Sequence, residues 1–428
     1  MTGDRLTALA LVRRDRSFRR LWLAHAVTTA GSWVSFVVLP LFVYQLTGSP
    51  LQTALLSVVQ FVPYPLFGLV AGAVADRSDR RRLMIGSELA SGVALGSVPL
   101  AAAFDALTLP HVYLVGFLAT SFYVWFDAAD FGAVPAIAGK QNVVEAQSAI
   151  YSTATFLGII APSVGGLLAA VVGAANAVAL DAATYGVSAL LILSIRRPFA
   201  TDVPEPLTEP IVRRTVRDIR EGLSFLWSQQ IVRTLTLLGF GVSFSGGAMS
   251  GLLVVYAVQA LGFSDRGGAV GVLFSAVAAG TLLGSLALPR LARRIAPTRI
   301  TLWALPVDTV LLLGVACAPG LGAALALLLA WSLVQMTIIL NGITLRQRVT
   351  PDGLQGRVNV TARMIAWGGT PFGALVGGVI ADRAGVRVAL AAVAGGVAAS
   401  AVAAWLTPLR TASVLGDPSE EAAEHAAA

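Results

Sequence analysis

Gly72-Ala-Val-Ala-Asp76-Arg77-Ser-Asp79-Arg80-Arg81-Arg82 is a short charged loop set between two apolar runs, residues 51–75 and 83–104. Each run is long enough to cross a bilayer, which takes roughly 20 apolar residues. Working outward from this loop, the same alternation covers the chain. Apolar runs fall at about 21–46, 51–75, 83–104, 110–131, 147–172, 175–195, 232–261, 268–289, 299–318, 321–345, 358–381 and 386–407. They predict an all-α polytopic membrane protein with twelve transmembrane helices. No outer-membrane type of β-alternation competes with this reading. The first run is too long for a signal peptide, and no small-residue cleavage site follows it.

Composition agrees. Of 428 residues, 56% are hydrophobic and 12% charged, about half the charge fraction of a soluble domain. Mean hydropathy is +0.77. These values exclude an ordinary soluble enzyme, a secreted disulfide scaffold and a disordered chain. The one cysteine, Cys317, excludes an intramolecular disulfide and a cysteine metal cluster. The net charge of +7 does not imply a nucleic-acid partner, because the positive charge lies in loops between apolar runs. All but three of the 30 basic residues fall on one side of the expected topology, the exceptions being Arg266, Arg383 and Arg387. By the positive-inside rule both termini are cytoplasmic, in a cytoplasmic (inner) membrane of bacterial type, and the charge faces its anionic leaflet.

The long polar interruption is 196–230, with Pro198, Pro204, Pro206 and Pro210 followed by a basic amphipathic stretch at about 211–227. It reads as a cytoplasmic linker with a short surface helix. The expected organisation is a six-helix bundle over 1–195, the linker 196–230, a second six-helix bundle over 231–407 and a cytoplasmic tail, 408–428. The bundles read as pseudo-repeats. An offset of 212 residues pairs Gly68 with Gly280, Gly72 with Gly284, and Gly165, Gly166 and Gly173 with Gly377, Gly378 and Gly385. Both halves start on the same side, so the repeat is parallel and implies a central cavity.

The loop quoted above resembles the G-x-x-x-D-R-x-x-R-R signature of the major facilitator superfamily. A degenerate copy spans Gly284 to Arg294, with Leu288 where Asp76 would stand. In that family this loop closes the cytoplasmic face, clasping the opposite half and a carboxylate of the fourth helix. The resemblance therefore implies a gate built from Gly72, Asp76, Arg77, Arg80 and Arg81. Pro162-Ser-Val-Gly165-Gly166 resembles the family's G-P-x-x-G-G antiporter motif, with Ala161 in place of the first glycine. Phe18-Arg-Arg-Leu-Trp22, Gly31-Ser-Trp33 and Tyr44-Gln-Leu-Thr-Gly48-Ser-Pro50 resemble the branch of enterobactin exporters and macrolide-efflux proteins. That branch often has an acid where Ser32 stands.

Carboxylates inside a bilayer are costly and are functional candidates by default. The proton-coupling candidates are Asp308, first by depth, then Glu88, then Asp127 and Asp130. Tyr123, Asp127 and Asp130 share a helical face, and pairing of the two aspartates with Arg77 or Arg80 is the competing expectation. Arg363 is a possible partner for Asp308. His25 reads as too close to the cytoplasmic end of the first helix to carry the coupling proton, and His111 as too close to the outer surface. The substrate-cavity candidates are Trp33, Phe36, Tyr64, Tyr123, Phe244, Gln335 and Asn341, an apolar wall with few polar groups that suits a bulky amphipathic solute.

Asp127-Ala-Ala-Asp130 is also compatible with a membrane-embedded transferase binding Mg²⁺-pyrophosphate, but no second Asp-rich motif accompanies it. No nucleotide-binding loop is present, so ATP is not the energy source. The sequence thus points to a monomeric, proton-coupled exporter of a small amphipathic drug, antibiotic or siderophore-like metabolite. It would act within the lipid bilayer without cofactor, metal or nucleic acid. An uptake permease for an organic solute is the alternative.

Overall fold

The computed structural model describes residues 7–75, 77–199, 211–263, 268–351 and 354–407. The described residues form helices and no strands. In the amino-terminal part they are α1 (Ala8–Arg14), α2 (Arg16–Thr47), α3 (Pro50–Phe61), α4 (Pro63–Ala75), α5 (Arg80–Ala103), α6 (Leu109–Ala138), α7 (Val143–Val172) and α8 (Ala174–Leu193). Then come α9 (Ile211–Ser228), α10 (Gln230–Val255), α11 (Gly268–Ala292), α12 (Pro297–Cys317), α13 (Leu321–Val349), α14 (Gln355–Ala384) and α15 (Val386–Leu406). Among the described residues, twelve spans are long and apolar enough to cross a membrane. The protein is a multi-pass membrane protein.

Local chemistry explains several boundaries. Asp15 caps α2, its side chain accepting from the Ser17 and Phe18 amides at 2.9 and 3.1 Å. Gly48 ends α2 at φ +63°, its N–H donating to the Tyr44 carbonyl at 2.7 Å. Pro50 then opens α3, where its missing N–H costs nothing. The run 51–75, expected as one helix, is interrupted at Val62, between α3 and α4. Pro63 and Pro65 supply no amide hydrogen across that turn, which breaks the ladder. The repeat is visible in backbone geometry. Gly173 and Gly385 join α7 to α8 and α14 to α15 with φ +86° and +88°, a region that strains residues with a side chain.

Contacts group the chain into two units. The first holds Met1–Gly48, Val59–Thr208 and Ser264–Ser275, and the second holds Ser49–Val58, Glu209–Phe263 and Ala276–Ala428. In the second, α9 lies against α14 and α10, with Leu226 buried beside Val232, Val358 and Ala362. Leu226 of the amphipathic stretch therefore packs on protein, while Leu223 and Trp227 are exposed, and Glu221 pairs with Arg357 across that contact.

Candidate functional site

Inside the first unit, α2 carries His25, Thr28, Ser32 and Ser35 at spacings of three, four and three residues. That periodicity puts all four on one side of the helix. An apolar medium gives polar groups no water, so each needs a protein partner. Each finds one on a neighbouring helix, α5, α6 or α8. His25 Nε2 lies 3.0 Å from Asp130 Oδ1 of α6, with the edge of Phe126 against the imidazole at 5.5 Å. Thr28 donates to Glu88 of α5 at 3.2 Å. Ser32 and the Tyr185 hydroxyl of α8 are 3.0 Å apart, and Ser35 donates to the Asp181 carboxylate. Glu88 is 2% exposed and Asp181 is 0% exposed. Gly31 lets α8 come this close, because a Cβ there would strike Asp181 and Thr184. Asp181, Thr184, Tyr185 and Ser188 in turn share one side of α8, and Ser188 borders Glu88. The result is one imidazole and three carboxylates gathered along one face of α2, each with its own polar partner, Glu88 and Asp181 buried and His25 and Asp130 half-buried.

This arrangement revises the sequence reading at several points. His25, read as too close to the helix end, sits inside the series. Asp130, expected to face the loop arginines, pairs with His25 instead. Asp181 is an acid within the apolar run 175–195, and nothing in that run signals its link to Ser35. The missing acid at Ser32 is supplied by α5, α6 and α8, each giving a carboxylate to the same α2 face. Asp127 parts company with Asp130: it is exposed, near Tyr64 and Tyr123. The 25/28/32/35 spacing is the signal that could have exposed the series from sequence.

Asp308 lies in α12, 0% exposed. Among the described residues neither carboxyl oxygen has a hydrogen-bond partner, and the Trp331 indole of α13 faces it too loosely for a full bond. Arg363, a possible partner by sequence, is exposed and stacks on Trp367 instead, its guanidinium carbon 5.0 Å from the ring centroid.

Of the gate residues, Asp76 lies outside the described residues. Asp79 caps α5 by accepting from the Arg82 amide at 3.2 Å. Arg80 lies along Gly132 of α6, where a Cβ would collide with its guanidinium, and donates to the Gly132 and Phe199 carbonyls at 3.3 and 3.4 Å. Arg81 donates to the Leu193 carbonyl at the end of α8. Arg77 is exposed, and Gly72 has no neighbour where a Cβ would be. Thus Arg80 and Arg81 tie the ends of α6 and α8 to the start of α5 within one unit.

The cavity candidates divide. Trp33 and Phe36 stack edge to face at 5.2 Å, and Phe36 stacks on Phe274 at 5.3 Å. Tyr64 and Tyr123 are 43% and 49% exposed. These four present accessible aromatic surface. Phe244 is half-buried against α14, since a Cβ at Gly373 would meet its carbonyl. Gln335 donates to the Val242 carbonyl and Ser245 Oγ at 3.3 and 3.2 Å. Asn341 does not face a cavity. It is buried, and its amide donates to the Pro297 carbonyl and Thr301 Oγ1 at 2.7 and 2.8 Å, which consumes both hydrogens in binding α13 to α12. In the antiporter-like motif, Gly165 brings α7 onto the α2 backbone at Val34. Pro162 and Gly166 are buried, and the neighbouring Ser163 is 2.8 Å from Ser275.

Comparison with known proteins supplies the family. The multidrug efflux pump Tap of Mycobacterium tuberculosis is 29% identical over 393 residues, covering 87% of this chain and 88% of that protein. The enterobactin exporter EntS of Citrobacter koseri is 28% identical over 365 residues, covering 83% and 82%. Among solved structures, a bacterial homologue of the human lysosomal transporter Spinster superposes with a TM-score of 0.72 at 16% identity, covering 92% of this chain and 96% of that one. The nucleoside transporter NupG gives 0.73 at 13% identity, covering 91% and 98%. Residues 21–366 match the model of the Major Facilitator Superfamily, and with twelve apolar spans behind that match, the chain belongs to this superfamily as a membrane transporter and not an enzyme.

Proposed function

We propose that this chain is a proton-driven exporter of a small amphipathic solute. The observation that carries the reading is the series on the α2 face: His25 with Asp130, and the buried Glu88 with Thr28 and Asp181 with Ser35. Buried carboxylates paired with hydroxyls and an imidazole, not with arginines, can exchange a proton without breaking a strong ion pair. One proton moving inward across 100 mV releases about 2.3 kcal/mol, enough to drive an uphill step. On this reading Glu88 and Asp181 come ahead of Asp308 as carriers, and Asp127 belongs to the exposed wall. Export is supported by the efflux pump and exporter among the relatives and by Pro162, Gly165 and Gly166. The accessible rings of Trp33, Phe36, Tyr64 and Tyr123 suit an apolar body. Gly72, Asp76, Arg77, Arg80 and Arg81 form the cytoplasmic gate, the termini lie in the cytoplasm, and the chain works as a monomer.

A deletion strain challenged with cationic, neutral and acidic toxic amphiphiles identifies a transported compound by new sensitivity. Everted vesicles should then accumulate that compound, and a protonophore should abolish the accumulation. Accumulation that survives the protonophore overturns proton coupling, and a strain that instead loses growth on a carbon source overturns export. In a chain lacking Cys317, single cysteines at 106 and 320 should react with an impermeant thiol reagent from outside, and those at 79 and 205 should not. Asp76→Asn should lower transport strongly while expression is kept.

A further inference from the structure

The second unit encloses a cavity of about 290 Å³ between α10, α12, α13 and α14. Its walls are mainly apolar, with Leu238 and Val242 from α10 and Ile338 and Ile343 from α13, and carry the neutral polar side chains Ser243, Thr301 and Asn359. Two cations interrupt them. Arg346 is only 7% exposed, and among the described residues its buried Nε has no hydrogen-bond partner. Arg363 also lines the cavity, exposed and stacked on Trp367. Among the described residues no carboxylate lines this space. Gly239 keeps the approach narrow yet open, since a Cβ there would stand 3.8 Å from Arg346 Nη1 and 3.1 Å from Ala366.

A guanidinium held in an apolar wall without a counter-charge is unfavourable, and a bound anion relieves it. The planar fork of arginine matches a two-oxygen acid group, and stacking on an indole holds a second fork in place. The volume is at the low end for a ligand site, where roughly 300–1,000 Å³ is usual. It fits an acid group with a short apolar flank, not an entire drug-sized molecule. We infer that this cavity binds the acidic group of the transported solute, so that the cargo is an anionic amphiphile whose carboxylate or similar acid is held between Arg346 and Arg363. The inference rests on the exporter reading and adds a substrate class to it.

The test uses the purified full-length chain in a neutral detergent, with two probes of the same apolar body, 1-naphthaleneacetic acid and its uncharged amide. Binding is followed by tryptophan fluorescence. The acid should bind at least about tenfold more tightly than the amide, the range expected for a charge-assisted contact. Arg346→Gln should remove that preference without changing amide binding, and Arg346→Lys should restore part of it. Because Arg346 is buried, Arg363→Gln at the exposed rim serves as the second variant and should reduce the preference by about threefold to tenfold. Equal binding of acid and amide by the wild type overturns the proposal, as does a preference unaltered in either arginine variant. An anionic lipid headgroup could offer the same chemistry. In nanodiscs, phosphatidylglycerol in place of neutral phosphatidylcholine should leave acid binding intact, and displacement of the probe by that lipid overturns the cargo assignment. Selective acid binding in a protein whose transport ignores a protonophore would leave this site standing and remove the coupling reading.

Discussion

The two units carry matching helices and opposite buried chemistry. In the first, an imidazole and three carboxylates are gathered on the α2 face, each with its own polar partner. In the second, an arginine lines an apolar cavity, and Asp308 sits with neither oxygen bonded. The glycines paired by the repeat differ as sharply. Nothing lies where a Cβ would stand at Gly68 and Gly72, whereas Gly280 and Gly284 press on the Leu329 and Leu333 carbonyls of α13. The repeat therefore conserves the helix plan, while packing and polar content diverge around it. On the reading proposed above, proton handling belongs to the first unit and recognition of the cargo's acid group to the second.

The largest expected effect tests that packing difference. Gly280→Val drives side-chain atoms into the α13 backbone, which costs about 3 kcal/mol or more, and should abolish the monodisperse folded protein in size-exclusion chromatography. Gly68→Val should leave the same profile unchanged. Equal tolerance at both positions would erase the asymmetry between the repeats.

Next in size is Glu88→Gln. Proton-driven accumulation in everted vesicles should fall at least about tenfold, while energy-independent solute exchange continues. Asp181→Asn should behave alike, since both sit in one series. If the two variants retain wild-type accumulation, the series is packing and the comparison loses its functional content.

Smaller effects sharpen the contrast. Arg80→Ala removes donors to the Gly132 and Phe199 carbonyls and should lower stability by about 1–2 kcal/mol, read as a drop in thermal unfolding midpoint. Asp308→Asn should change stability by about 1 kcal/mol in either direction and leave proton drive intact, because among the described residues no chain of titratable groups leads to it. Loss of proton drive in that variant alone would return Asp308 to the head of the candidates. Asp79→Ala should cost about 1 kcal/mol by uncapping α5, with transport otherwise kept.

Much of the fold is legible in the chain itself. Lengths of apolar runs give the twelve spans, because the thickness of a bilayer sets a minimum length that sequence must meet. Gly48 and Pro50 mark the end of α2 and the start of α3, and the matched Gly173 and Gly385 mark equivalent turns, because backbone conformation near glycine and proline is a local property. The loop motif and Glu88 and Asp130 are likewise visible as unusual residues in their surroundings. Partnership is another matter. Whether Asp130 meets His25 or a loop arginine, whether Asn341 faces a cavity or Thr301, and whether Arg346 has a carboxylate beside it all depend on which faces of separate helices meet. A hydrogen bond between α2 and α8 joins residues about 150 positions apart, and no local propensity encodes such a pair. The chain determined its spans and its turns by local physics, and only helix packing decided which buried charges stand together and which stand alone.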